Sequence, residues 1–115
     1  MADISKQARG RWGEDLAARY YERRGAIVAD RNWRCPVGEL DLVVDDHGVY
    51  VFVEVKARRT ERFGPAAAAV GVDKQRRIRH LAVEWLRDHG RPRVEVRFDV
   101  VTVTGVRLEC IEGAF

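Results

Sequence analysis

Trp12, Leu16 and Tyr20, with Ala17 and Tyr21 beside them, recur at spacings of three and four, and that period predicts a helix over residues 5–24. Gly25 follows as its C-terminal stop. Ala26 to Trp33 is more weakly patterned and reads as extended chain, and Cys35-Pro36-Val37-Gly38 is turn material. Glu39-Leu40-Asp41-Leu42-Val43-Val44 alternates as a strand, with Asp45-Asp46-His47-Gly48 as a hairpin turn behind it. In the next strand Val49, Val51, Val53 and Val55 line one face, while Tyr50, Phe52, Glu54 and Lys56 line the other. Arg59 to Gly71 is loop-like, broken at Gly64-Pro65, with an alanine run behind the break that starts a short helix. Asp73 is placed to cap a second long helix whose apolar stripe is Ile78, Leu81, Ala82, Trp85 and Leu86, and Gly90 and Pro92 end it. Val94, Val96, Phe98 and Val100 alternate as a further strand, and Val106 to Ile111 forms a last one. The order α-β-β-β-α-β-β predicts an α/β fold, a central mixed β-sheet flanked by helices.

Composition narrows the class. At 115 residues, 46% hydrophobic and 34% charged, the chain fits one domain, spanning 3–115, and is neither disordered nor membrane-spanning. A domain of this size buries roughly two-thirds of its unfolded surface, so it needs neither disulfides nor structural metal to fold. Two cysteines, Cys35 and Cys110, and a polar start, Met1-Ala2-Asp3-Ile4-Ser5-Lys6, predict a reducing cytoplasm and no signal peptide. No apolar run approaches the ~20 residues that cross a bilayer.

The net charge of +3 is modest, but its placement is not even. Lys56, Arg58, Arg59, Arg62, Lys74, Arg76, Arg77 and Arg79 stand against only Glu61 and Asp73 between residues 56 and 79. Such a concentration points to a polyanion, with an ordinary solvated basic surface as the alternative.

Several chemistries are excluded cheaply. The single serine, Ser5, lies at the N-terminus, away from any strand-to-helix turn that would present a nucleophile. His47, His80 and His89 have no zinc-ligand spacing to Cys35 or Cys110. Gly10-Arg11-Trp12-Gly13 follows no strand and precedes no phosphate-binding lysine, so it is no nucleotide loop.

The two strands after Gly38 differ. Glu39 and Asp41 share one face by the period of two, as do Glu54, Lys56 and Arg58, and the hairpin lets Asp41 approach Glu54 across the ladder. Two carboxylates so close repel unless a cation sits between them. Oxygen ligands suit Mg²⁺ or Mn²⁺, and a lysine two residues on can orient or deprotonate a water and stabilise phosphate charge. A cross-strand salt bridge from Glu54 or Asp41 to Lys56 or Arg58 explains the same pattern as well. Glu14 borders the apolar stripe of the first helix, where it faces either the sheet's edge or solvent.

Gly13-Glu14-x-x-Ala17, Asn32-Trp33-Arg34, Gly38-Glu39-Leu40-Asp41-Leu42-Val43, Phe52-Val53-Glu54-Val55-Lys56-Ala57-Arg58 and Arg97-Phe98-Asp99-Val100 occur in that order. Together, and with the terminal Ala114-Phe115, they resemble the YraN-like family of bacterial predicted endonucleases over nearly the whole chain. That family is similar to the archaeal Holliday-junction resolvases, with the PD-(D/E)xK, restriction-endonuclease-like fold. The resemblance implies a nuclease cutting DNA phosphodiesters, on branched or structured DNA, with Mg²⁺ or Mn²⁺. Asp41 and Glu54 match its metal-binding carboxylates, Glu14 its helix glutamate, Lys56 its catalytic lysine, and Val55 lends a backbone carbonyl to the metal. Leu40 stands where the superfamily has proline, a form the YraN-like family shares. Arg58, Arg59, Arg62, Lys74, Arg76, Arg77 and Arg79 then hold phosphates. Asp99 is expected to be structural, paired with a neighbouring arginine. Glu39 either supports a metal ligand or bridges to Arg58. RNA stays open as a substrate, as does a homodimer, since a four-way junction offers two strands to cut. A non-catalytic binding module on the same fold is the rival reading.

Overall fold

The structure, a computed structural model, describes residues 6–58 and 70–115. Arg59, Arg62, the Gly64-Pro65 break, the alanine run and Ser5 lie outside the described residues. Seven elements follow in order: α1 (Lys6–Arg23), β1 (Ile27–Cys35), β2 (Gly38–Asp46), β3 (Val49–Arg58), α2 (Val72–Asp88), β4 (Glu95–Thr104) and β5 (Arg107–Ile111). The strands lie side by side in the order β1-β2-β3-β4-β5. All neighbours are antiparallel except β3 and β4, which run parallel because α2 carries the chain across between them. This is the mixed, helix-flanked sheet that the pattern predicts, an arrangement compatible with a restriction-endonuclease-like fold.

Each face of the sheet carries its own core. Tyr50, Phe52, Val43, Phe98 and Val100 pack under Ile78, Leu81, Ala82 and Trp85 of α2. On the other face Leu42, Val44, Val51, Val53, Val101 and Val103 pack under Ala17, Ala18 and Tyr21 of α1. A strand covered on both sides is apolar on both, which is why β4 continues through Val101 and Val103 after the alternation that marked it has ended at Val100.

Some boundaries move. Cys35 completes β1, leaving Pro36 and Val37 as the turn. Asp45 and Asp46 belong to β2, and the hairpin narrows to His47 and Gly48, both at positive φ (53° and 95°) as a two-residue turn requires. Asp73 does not cap α2: the cap is Gly71, without a side-chain bond, and Asp73 stands in the first turn, where the helix dipole still favours it. On α1 the buried row is Gly13 with the expected Ala17 and Tyr21, while Leu16 and Tyr20 flank it half-buried. Small residues let the helix lie close on β3, and Trp12 is pushed to the rim, 45% exposed, its indole N–H on the Gly105 carbonyl at 3.2 Å. No helix among the described residues is long and apolar enough to cross a membrane.

Candidate active site

The ladder between β2 and β3 runs from Asp46 opposite Val49 to Leu42 opposite Val53, and there it stops. The next residues on the two strands are Asp41 and Glu54, so these carboxylates face each other where the strands part. On the other edge of β2 the pairing steps from Arg31–Leu42 to Trp33–Leu40, passing over Asn32 and Asp41. Asn32 sits at φ 53°. Leu40 belongs to the core under α2 and Leu42 to the core under α1, although residues two apart on a strand ordinarily share a face. β2 therefore turns over at Asp41. The Val55 N–H, beyond the end of the ladder, donates to Asp41 Oδ2 at 3.0 Å.

Glu54 shares its face of β3 with Tyr50 and Phe52 and is only 7% exposed. Two ammonium groups reach its Oε1: Lys74 Nζ, from the first turn of α2, at 2.5 Å, and Lys56 Nζ, from β3 itself, at 3.8 Å. Burial raises the Asp41 pKa to about 7, helped by the charges of Glu54 and Glu14 and opposed by the Val55 amide and Lys74. Burial also lowers the Lys56 pKa, and Lys74 beside it lowers it further, against the pull of Glu54 and Asp41. Burial alone would lower the Lys74 pKa, but the Glu54 carboxylate outweighs it and holds this ammonium above its ordinary range.

Glu14 approaches from α1. A Cβ on Gly13 would lie 2.9 Å from that of Ala57, so only glycine lets this helix settle on β3 beside Val55. The glycine thereby sets the height of the next residue. Burial raises the Glu14 pKa, with Asn32 and Arg31 opposing and the charges of Glu39 and Asp15 adding to it. Its Oε1 is buried and has no hydrogen-bond partner among the described residues.

The donor set is all oxygen, two facing carboxylates and a third with an orphaned buried oxygen, and it fits a hard divalent cation. No three His, Cys, Asp or Glu side chains among the described residues close on one point, so the preformed part is the Asp41–Glu54 pair.

The model of the "Uncharacterised protein family UPF0102" matches residues 13–103, a stretch that begins at the Gly13-Glu14 contact and ends near the end of β4. A UPF0102 protein of Frankia alni is 50% identical over 120 residues, covering all of both chains. One from Rhodococcus jostii is 56% identical over 96 residues, 84% of this chain and 81% of its own. One from Desulfosudis oleivorans, at 43% identity, covers 96% of this chain and 91% of its own. The chain belongs to the UPF0102 family.

In this UPF0102 protein Asp41 and Glu54 adjoin where β2 and β3 part, Lys56 stands beside Glu54, and the charge of Glu14 reaches Asp41 from α1. The remaining candidates scatter. Arg58 ends β3 opposite Thr104 and is half-buried. Arg76 and Arg77 are exposed on α2, and the Arg77 stem runs beside Gly38. Arg79 is exposed too, but its guanidinium lies over the rings of Phe98 and Phe115, at 5.0 and 5.5 Å. Glu39 pairs with exposed Arg34 at 3.3 Å. Asp99 is bound by Arg97, at 2.9 Å, as its expected structural role requires. Sequence reasoning placed Lys74 among the phosphate-holding cations and missed its contact with Glu54. The contact depends on where α2 docks, which no spacing within the chain reveals.

Proposed function

We propose that this UPF0102 protein is a metal-dependent nuclease that hydrolyses DNA phosphodiesters. The observation that carries the reading is the Asp41–Glu54 pair, two repelling carboxylates at the parting of β2 and β3 with a lysine of lowered pKa beside them. Asp41, Glu54 and the Val55 carbonyl are the groups that hold Mg²⁺ or Mn²⁺, with Glu14 behind them. Bound there, the ion neutralises charge on the phosphate and acidifies water.

This chain's own residues do the rest. Val55 N–H holds Asp41 Oδ2 and so fixes that carboxylate's orientation. Lys56, whose ammonium is destabilised by burial and by Lys74, gives up its proton more readily than a surface lysine. Its neutral amine takes a proton from the attacking water, and its charged form steadies the phosphate oxygens. Arg58, Arg76 and Arg77, with Arg59 and Arg62, carry the backbone of the nucleic acid without reading its bases. The two cysteines are free thiols, in keeping with a cytoplasmic site of action.

The test is a panel of duplex, flap and four-way-junction DNA, with matching RNA, incubated in Mg²⁺ or Mn²⁺. Cleavage of DNA that EDTA stops and Asp41→Ala abolishes is the expected result. No cleavage of any form with either ion overturns the reading. DNA binding that ignores EDTA and survives Glu54→Gln, without turnover, replaces it with a non-catalytic binding module.

A further inference from the structure

Glu54 is buried among apolar side chains, and a buried carboxylate needs a counter-charge. Among the described residues it has two, and they are not equivalent. Lys56 stands two residues along the same strand, its stem fixed to the sheet, and its ammonium is 3.8 Å from Oε1. Lys74 arrives from a different element, as the third residue of α2, and closes on the same oxygen at 2.5 Å. Its side chain is still about one-third exposed, so it can swing outward on its four-carbon stem without moving the helix.

We propose that Lys74 is the resident cation of the Asp41–Glu54 fork, and that a divalent ion enters by displacing it from Glu54. This rests on the metal-dependent reading above and adds an exchange to it. An ammonium in contact with Oε1 and a dication bound to the same carboxylate repel each other and compete for the same lone pairs. One of them has to leave, and Lys74 is the one free to do so. The exchange has a second consequence. The displaced ammonium stays at the start of α2, one turn from the exposed Arg77, where it joins the cations that meet a phosphate. Metal binding therefore removes a cation from the carboxylates and presents it to the nucleic acid, so the metal and DNA assist each other's binding.

The test needs no catalysis. Mn²⁺ affinity is measured by titration calorimetry on the DNA-free protein, for the wild type, Lys74→Met, Lys74→Arg and Lys56→Met. Loss of a charge-assisted contact competing with the ion is expected to tighten Mn²⁺ binding by roughly tenfold in Lys74→Met. Lys74→Arg keeps the competitor and is expected to stay near the wild type. Lys56→Met removes the same charge from further away, so its gain is expected to be smaller. An affinity in Lys74→Met equal to or weaker than the wild type, or no larger a gain than in Lys56→Met, overturns the exchange and leaves the metal-dependent reading standing. Absence of Mn²⁺ binding in all four overturns both. Should Lys74→Met fail to fold in EDTA, refolding on addition of Mn²⁺ supports the exchange, and failure to refold overturns it.

Discussion

Glu54 and Asp99 are almost neighbours. In the parallel pairing of β3 with β4, Val53 faces Asp99 and Glu54 faces Val100, so one register step separates the two carboxylates, and they point to opposite sides of the sheet. Both are buried, yet their surroundings differ in kind. Asp99, with no exposed surface, accepts from the Tyr21 hydroxyl at 2.7 Å, from Arg97 at 2.9 and 3.1 Å, and from the Gly113 amide at 3.0 Å. Arg97 in turn reaches Asp46 at 3.2 Å, and Asp99 holds its guanidinium firmly protonated. Burial and the same carboxylate push the Tyr21 hydroxyl far above its ordinary range, so it stays a donor. That set of partners is complete. At the candidate site, among the described residues, Asp41 has one amide donor and a like charge opposite, Glu54 leans on a movable lysine, and Glu14 has an oxygen with no partner. A carboxylate finished by its own protein holds the fold together, and one left short of partners is available to something else.

The contrast is open to attack from both sides, most forcefully at Asp99. Asp99→Ala takes the main partner from a half-buried arginine and strands a buried hydroxyl, and chemical denaturation is expected to show a loss of about 2–4 kcal/mol with Mn²⁺ affinity unchanged in the folded fraction. A variant that loses metal affinity instead would merge the two regions. Lys56→Met is expected to behave the opposite way. Its melting temperature holds and its Mn²⁺ affinity does not fall, while single-turnover cleavage drops by roughly 10²-fold or more, and Lys56→Arg does not rescue it because a guanidinium stays protonated. Cleavage at the wild-type rate would take lysine out of the chemistry.

A third variant probes how α1 delivers Glu14. The methyl added by Gly13→Ala meets Ala57 at 2.9 Å, and the forced shift is expected to cost about 1–3 kcal/mol in a denaturant titration. Gly13→Ala combined with Ala57→Gly recovers most of the loss if that contact is its cause. The last effect is one of pH. Asp41, with a pKa near 7 in the folded chain against an ordinary 3.8, binds more protons folded than unfolded between those values. Metal-free stability should therefore fall as pH rises from about 4 to 7, with a slope of at most about 1.4 kcal/mol per pH unit for one proton. Asp41→Asn should flatten that slope, and so should saturating Mg²⁺.

How much of this was legible in the chain follows from the range of each interaction. The approach of Asp41 to Glu54 could be read from residue parity across the hairpin, whereas their direct opposition followed from the turn narrowing to His47 and Gly48. Lys56 followed from the same period, and Arg97 with Asp99 from a spacing of two on one strand. The order of elements and the mixed sheet came from hydrophobic periodicity and from the single helical crossing between parallel strands. Local geometry repeats every two residues or every 3.6, so a sequence carries it directly.

What α1 and α2 do once formed is another matter. The helical period offered Trp12, Leu16, Tyr20, Ala17 and Tyr21 as one stripe, but close approach to β3 centred the buried row on Gly13, Ala17 and Tyr21 and left Trp12 at the rim, because the small side chains permit the shorter distance. Lys74 looked like one more surface cation until the docking of α2 set it against Glu54. Tyr21 and Gly113 reach Asp99 from the two ends of the chain. Periodic local geometry was thus determined by the sequence alone, whereas the rotation and height of each helix over the sheet came from the sum of many packing contacts, and only the tertiary structure decided which carboxylate was satisfied and which was left short of partners.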